Sequence, residues 1–218
     1  MFNRKEIDLS SWKRREHFEF FSQMQEPFHS VTVEMDVTKA YQRSVEENQS
    51  YFLTYMHAFG RAMQDIENLR YRLVDGKVYC YDFIELGSTI GREDETFGFG
   101  ILGYDPDFNT FVKNATKVIE KVQAAEGLCV EANDAMPNIV YCSTLPWTRF
   151  TAVSHARHFD ERDSIPRISF GMRVFENEKY VMSFSILVDH SLVDGIHVAK
   201  FLDKFQLYLD SDYPSVSK

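Results

Sequence analysis

The sequence predicts an α/β domain in which helices cover a mixed β-sheet. Apolar runs with the two-residue period of strands are interspersed with stripes that have the helical period of 3.6 residues. Hairpins and longer crossovers both fit between the predicted strands, so antiparallel and parallel pairs are expected together. No repeat, low-complexity tract or linker divides the 218 residues, and we expect a single domain over 1–218.

The predicted elements follow from these patterns in chain order. They are a helix over about 11–24 capped by Ser10 or Ser11, a strand over 29–37, helices near 38–47 and 50–66, a hairpin over 71–81, one or two strands within 82–102, a helix over 107–125, a strand within 137–153, and two long strands over 166–175 and 180–189. The hairpin over 71–81 has the clearest sequence signal, because two strand-like runs flank Asp75-Gly76. The glycine-rich run FGFGILG lacks the spacing of a phosphate-binding loop.

The stretch 183–208 is the one around which the chain is organised. It reads as a buried strand up to Val188 and as an amphipathic helix from Val198. The turn between them carries His190 and Asp194, and Asp194 is well placed as the N-cap of the helix. Such a turn holds a histidine rigidly at the mouth of a helix, which suits a base.

Composition excludes several classes of function. The net charge of −9 disfavours a nucleic-acid-binding surface, and the aromatic content of 15% disfavours disorder. No segment resembles a signal peptide or approaches the roughly 20 apolar residues that cross a bilayer. Three cysteines without metal-ligand spacing indicate neither a disulfide framework nor a metal site. We therefore expect a cytoplasmic protein without a metal or a membrane partner.

Other candidate groups have structural interpretations. His155 and His158 are spaced as His-x-x-His, but no further ligand has a matching spacing, so zinc is not expected. Cys142 lies in an apolar strand and is expected to be a buried small hydrophobe. No Gly-x-Ser-x-Gly elbow is present, which disfavours an α/β-hydrolase.

Four segments carry a family resemblance. His190-x-x-x-Asp194-Gly195 resembles the active-site signature of coenzyme A-dependent acyltransferases. SSWKRREHFEFF (10–21), STLPWTRFT (143–151) and Glu95-Thr96-Phe97 resemble segments of trimeric chloramphenicol acetyltransferases, in the same order. The chain is thus similar to that family from end to end. The resemblance implies the two-layer fold of the coenzyme A-dependent acyltransferases.

The resemblance also implies a mechanism. His190 would be the general base that takes the proton from a substrate hydroxyl as it attacks the thioester of acetyl-CoA, the cosubstrate. Ser143 would donate a hydrogen bond to the oxyanion of the tetrahedral intermediate. Asp194 would pair with Arg14 of the first helix and hold the turn in place.

Partners are implied in the same way. The family forms homotrimers with active sites at subunit interfaces, so a homotrimer that binds coenzyme A and a small hydroxylated acceptor such as chloramphenicol is expected. Four residues correspond to positions that line the family's substrate cleft: Phe97, Thr89, Ser169 and Phe21.

Departures from the family pattern leave the acceptor open. Asp189 stands where a second histidine is usual, and Phe21 replaces a tyrosine. Gln25 and His29 occupy positions that tend to be apolar, and buried polar groups need partners. An acyltransferase for dihydrolipoamide, or a binding protein of this fold without activity, therefore remains as an alternative.

Overall fold

The computed structural model describes residues 3–130, 136–157 and 163–212. Its strands and helices are, in chain order, β1 (Arg4–Glu6), α1 (Arg15–Phe21), β2 (Phe28–Asp36), α2 (Thr38–Glu46), α3 (Tyr51–Asp65), β3 (Tyr71–Val74), β4 (Lys77–Tyr81), β5 (Glu85–Gly91), β6 (Phe97–Ile101), α4 (Phe108–Ala124), β7 (Ile139–Thr144), β8 (Arg167–Glu176), β9 (Lys179–Asp189) and α5 (Gly195–Asp210). A short 3₁₀ helix, Glu67–Arg70, joins α3 to β3.

A mixed six-stranded sheet forms the centre of the fold. Its strand order is β2-β9-β8-β7-β5-β6, and a second sheet of order β1-β4-β3 lies beside it. The β8–β7 and β7–β5 pairs are parallel and the other neighbours are antiparallel. The predicted mixed sheet is therefore confirmed.

Helices pack on one face of this sheet. The ring of Phe59 in α3 contacts Phe170 and Phe184 from the sheet and Phe201 from α5, with ring centroids 5.4 to 6.4 Å apart. All four rings are fully buried. Since aromatic side chains bury large areas, this cluster is a major source of the fold's stability. The opposite face is left to the loop that follows β7.

The predicted elements agree with the structure except near the N-terminus, where β1 was not predicted and the first helix was predicted too long. The predicted helix over 11–24 is only Arg15–Phe21, and its N-cap is Arg14, not Ser10 or Ser11. The reason is that both serine hydroxyls donate to the carboxylate of Asp8, at 2.7 and 2.9 Å, so these residues form a turn of their own. The Asp75-Gly76 turn of the hairpin has positive φ at both residues, as a type I′ turn requires.

The described residues include no candidate for a membrane span or a metal cluster. None of their helices combines the length and the apolar character that crossing a membrane would require. Within the same ranges, no three His, Cys, Asp or Glu side chains are grouped so that they would hold a metal ion.

Candidate active site

The turn between β9 and α5 presents His190 at the N-terminus of α5. The His190 amide donates to the carbonyl of Pro27 at 2.8 Å, and the buried Asp189 carboxylate accepts from the Ser191 amide at 2.8 Å. Asp194 is the N-cap residue, and its amide donates to Nδ1 of His197 at 2.9 Å. These bonds fix the backbone on both sides of the His190 imidazole.

Arg14 ties the N-terminal part of the chain to this turn. Its guanidinium forms a two-pronged pair with the carboxylate of Asp194, with 2.9 Å between Nη2 and Oδ1. Burial raises the pKa of Asp194, but the hydrogen bond and charge of Arg14 more than offset it, so the pKa lies below its ordinary value. Of the charged run 13–16, only Arg14 is not exposed. Asp194 is thus held as a carboxylate.

Two rings lie against the His190 imidazole. The Phe21 ring is stacked on it, with centroids 3.9 Å apart and planes 7° apart. The His29 ring is tilted by 47°, with its centroid 4.5 Å away. The Asp194 carboxylate also approaches, with 3.3 Å between its Oδ1 and Nδ1 of His190. The imidazole is 33% exposed and accessible to a substrate.

A first cavity lies on the face of the sheet opposite the helices. It has a volume of about 520 Å³ and is lined by residues that include Ser143, Thr89 and Phe97. His155 also lines it, and its Nε2 lies 3.3 Å from the hydroxyl of the buried Ser169. Burial, and then the charge of Arg167, lowers the pKa of His155, so this imidazole is neutral at physiological pH. Three of the predicted cleft residues therefore gather around Ser143.

His190 does not reach this cavity within one chain. In the sheet register, Ser143 lies beside Ser169, which lies beside Ser185. From Ser185 to His190 the chain advances five residues, or about 17 Å along β9, and the two strand spacings add about 10 Å across the sheet. Ser143 and His190 of one chain are therefore about 20 Å apart and cannot contact the same acetyl group.

A second cavity, of about 420 Å³, lies on the other side of the end of β7. Thr144, Pro146, Tyr51 and Arg173 line it. The Arg173 guanidinium lies 3.5 Å from the ring centroid of Tyr41 and 5.1 Å from that of Tyr51. No carboxylate of the described residues forms an ion pair with it. The cavity therefore offers aromatic surface and a cation to a ligand.

The residues that depart from the family pattern lie close to His190. Phe21 has no hydroxyl but supplies a stacked ring. His29 is half-buried and bonded to the carbonyl of Val193. Gln25, which precedes β2, is exposed in the single chain.

Cys142 and the His155–His158 pair have structural interpretations from the sequence, and of these residues the structure describes Cys142 and His155. Cys142 is 4% exposed, so the prediction of a buried small hydrophobe is confirmed, and burial raises the pKa of its thiol. His158, the other half of the His-x-x-His pair, lies outside the described residues.

Comparisons with known proteins identify the family of the chain. A sequence profile described as "Chloramphenicol acetyltransferase" matches residues 2–206. A chloramphenicol acetyltransferase from Proteus mirabilis is 27% identical over 205 residues, which cover 94% of either chain. Chloramphenicol acetyltransferase 3 from Escherichia coli is 25% identical and is covered to 96%.

Solved structures give the same result. A chloramphenicol acetyltransferase with 29% identity superimposes with a TM-score of 0.89 and covers 95% of this chain and 100% of its own. A probable dihydrolipoamide acetyltransferase from Listeria monocytogenes, 14% identical with a TM-score of 0.64, shares the fold over 98% of both chains. The protein therefore belongs to the chloramphenicol acetyltransferase family and is an acyltransferase.

Proposed function

We propose that the protein is an acetyl-CoA-dependent O-acetyltransferase that acetylates a hydroxyl of chloramphenicol or of a similar small acceptor. The proposal rests on the turn that presents His190, where Arg14 pairs with Asp194 and the Phe21 ring stacks on the imidazole. The family profile matches residues 2–206, which is nearly the whole chain. Rigid presentation of an imidazole at an accessible position is what a general base requires.

In this proposal His190 takes the proton of the acceptor hydroxyl while the hydroxyl oxygen bonds to the thioester carbonyl carbon. Ser143 donates its hydroxyl hydrogen to the oxygen on which negative charge develops. When the carbon–sulfur bond breaks, the proton on His190 passes to the departing sulfur, so the base is regenerated. Asp194 and Arg14 act only by holding the turn, since their charges already satisfy each other.

In this proposal coenzyme A binds at the second cavity. Acetyl-CoA supplies the activated acetyl group, and its phosphates are anionic. Arg173 lines the cavity together with tyrosine rings, and Trp147, which follows the lining residue Pro146, is 81% exposed. Because Thr144 lines this cavity and Ser143 lines the first one, the two substrates would meet at the end of β7.

The active site is proposed to be shared between two copies of the chain. Since Ser143 and His190 of one copy lie about 20 Å apart in the sheet register, one copy would supply the base and its neighbour the oxyanion donor and the acceptor cavity. A closed homotrimer repeats this interface three times and leaves every copy with one complete site.

The test is thiol release from acetyl-CoA by the purified protein, with and without chloramphenicol, alongside His190→Ala. We expect release that depends on chloramphenicol and is lost in the variant. Release without stimulation by the drug, but still dependent on His190, would retain the chemistry and direct the search to other hydroxylated acceptors. No release from either protein, and no binding of coenzyme A, would contradict the proposed activity.

Dihydrolipoamide is the acceptor to test second. Asp189, directly before the base, is reminiscent of the acyltransferases of oxo-acid dehydrogenase complexes, and the Listeria monocytogenes protein shares the fold. Acetylation of free dihydrolipoamide faster than of chloramphenicol would favour this alternative.

A further inference from the structure

Four consecutive backbone carbonyls of the His190 turn each lie near a side-chain donor. Arg14 Nη2 lies 3.3 Å from the carbonyl oxygen of His190 and 3.5 Å from that of Ser191. Asn68 Nδ2 donates to Leu192 at 3.1 Å. These donors come from the start of α1 and from the 3₁₀ helix.

The fourth carbonyl, that of Val193, lies 3.2 Å from Nε2 of His29 in β2. A carbonyl oxygen only accepts, so Nε2 carries the hydrogen. Val193 is 3% exposed, and a buried carbonyl that loses its donor is costly, so the turn would shift to find another.

His29 also contacts the imidazole that the turn presents. Its ring centroid is 4.5 Å from that of His190, and Phe21 stacks on the same imidazole. Burial lowers the pKa of His29 more than its hydrogen bond to Val193 raises it. At neutral pH the ring is therefore uncharged, although the carboxylates of Asp189 and Asp194 and the guanidinium of Arg14 are nearby.

We infer that His29 is a positioning residue for the general base: its hydrogen bond to Val193 fixes the angle at which His190 meets the acceptor hydroxyl. This inference rests on the proposed function of His190. An apolar side chain at this position would leave the Val193 carbonyl without this donor. The His29 imidazole supplies both an aromatic surface against the His190 ring and a hydrogen-bond donor to the carbonyl of Val193.

Two substitutions separate these features. His29→Phe keeps a ring but removes the donor, whereas His29→Gln keeps a donor at a similar reach and removes the ring. We expect His29→Phe to lower kcat about 10- to 100-fold, as small misplacements of a catalytic group do, with KM for acetyl-CoA changed less than about twofold. His29→Gln is expected to restore kcat to within about threefold of the unchanged protein.

The controls distinguish this inference from the proposed function. His17→Phe, at an exposed position of α1, should leave kcat unchanged. Thermal melts ensure that all variants are folded at the assay temperature, and the NMR signals of the His190 imidazole should move in His29→Phe and return in His29→Gln. Equal rates for His29→Phe and the unchanged protein, or a rate preserved by Phe and lost with Gln, would overturn the inference alone. Full activity of His190→Ala would overturn the proposed base and this inference with it.

Discussion

At the scale of single residues, the carboxylate of Asp194 contacts both Arg14 and His190, the proposed base. It receives both prongs of Arg14 and lies 3.3 Å from His190 Nδ1. A lysine in place of Arg14 can make one of these contacts but not the planar pair, and it cannot also reach the carbonyls of the turn. The identity of Arg14 therefore matters more than its charge.

We expect Arg14→Lys to lower the free energy of unfolding by about 1.5–3 kcal/mol at pH 7, the range for hydrogen bonds to charged groups, and to lower kcat. The measurement is urea unfolding together with the rate of thiol release. Arg15→Lys is the matched control, since Arg15 is exposed and, among the residues that the structure describes, pairs only with Glu19 one turn later. Equal losses in both variants would show that the Asp194 pair has no special role.

The same pair predicts a dependence on pH. The folded pKa of Asp194 lies below 3.8, its ordinary value, so the stability from the pair is fully present above about pH 5. It is lost as pH falls through the folded pKa, because protonation removes the charge that Arg14 binds. The stability difference between the unchanged protein and Arg14→Lys should therefore shrink in acid.

The pairing of Arg14 with Asp194 was predictable from the family resemblance, whereas the catalytic roles of His190 and Ser143 stay predictions. The contacts that His29 and Asn68 make with carbonyls of the turn could not be predicted from the sequence. Both residues are more than 120 positions away from the carbonyls that they contact, and neither lies in a motif. Their role depends on β2 and the 3₁₀ helix meeting the turn in space.

At the scale of elements, α3 lies so close to the sheet that a side chain at one of its glycines would force its neighbours to shift. A Cβ at Gly60 would lie 2.7 Å from the Tyr104 ring and 2.8 Å from a methyl group of Leu86. Leu86 is fully buried and cannot move aside freely. The close approach of α3 to β5 requires this glycine, although glycine weakens a helix.

Gly60→Ala should therefore be destabilising. Alanine improves helix propensity by about 1 kcal/mol, but overpacking a dense core costs about 1–3 kcal/mol. We expect a net loss of up to about 2 kcal/mol in the free energy of unfolding, measured by urea denaturation. Gly91→Ala, where no atom lies within 4 Å of the added Cβ, is the comparison. A stabilised Gly60→Ala would show that the helix–sheet contact relaxes easily.

The elements themselves were largely predictable, because their periodicity and turn residues agree with their burial. The N-terminal helix was predicted too long, since Ser10 and Ser11 read as helix caps but donate to Asp8. The second sheet was not foreseen as a separate unit, because β1 has only three residues. Strands this short have no periodicity to detect.

At the scale of the whole molecule, the register of the sheet separates the two proposed catalytic groups. The sequence indicates that both exist, but pattern alone contains no strand order, so their distance could not be derived from it. If each active site takes His190 from one copy and Ser143 from another, mixing subunits of two variants tests the arrangement directly.

Ser143→Ala and His190→Ala are each expected to be inactive. If they are unfolded together in equal amounts and refolded, about a quarter of the interfaces should pair an intact His190 with an intact Ser143, because each partner is drawn at random. Thiol release should recover to about that fraction of the unchanged protein. Each variant refolded alone is the control, and a mixture as inactive as its parts would place each site within one chain.

The bonds around the catalytic turn also bear on how the chain matures. Arg14, His29 and Asn68 precede the carbonyls that they hold by 124 to 177 positions, so the ribosome must have released nearly the whole chain before the base is fixed in place. An incomplete nascent chain therefore carries no ordered base. The amide of His190 donates a hydrogen bond to the carbonyl of Pro27. This amide should exchange its hydrogen with solvent only when the two segments separate, so its exchange rate reports on global opening of the protein.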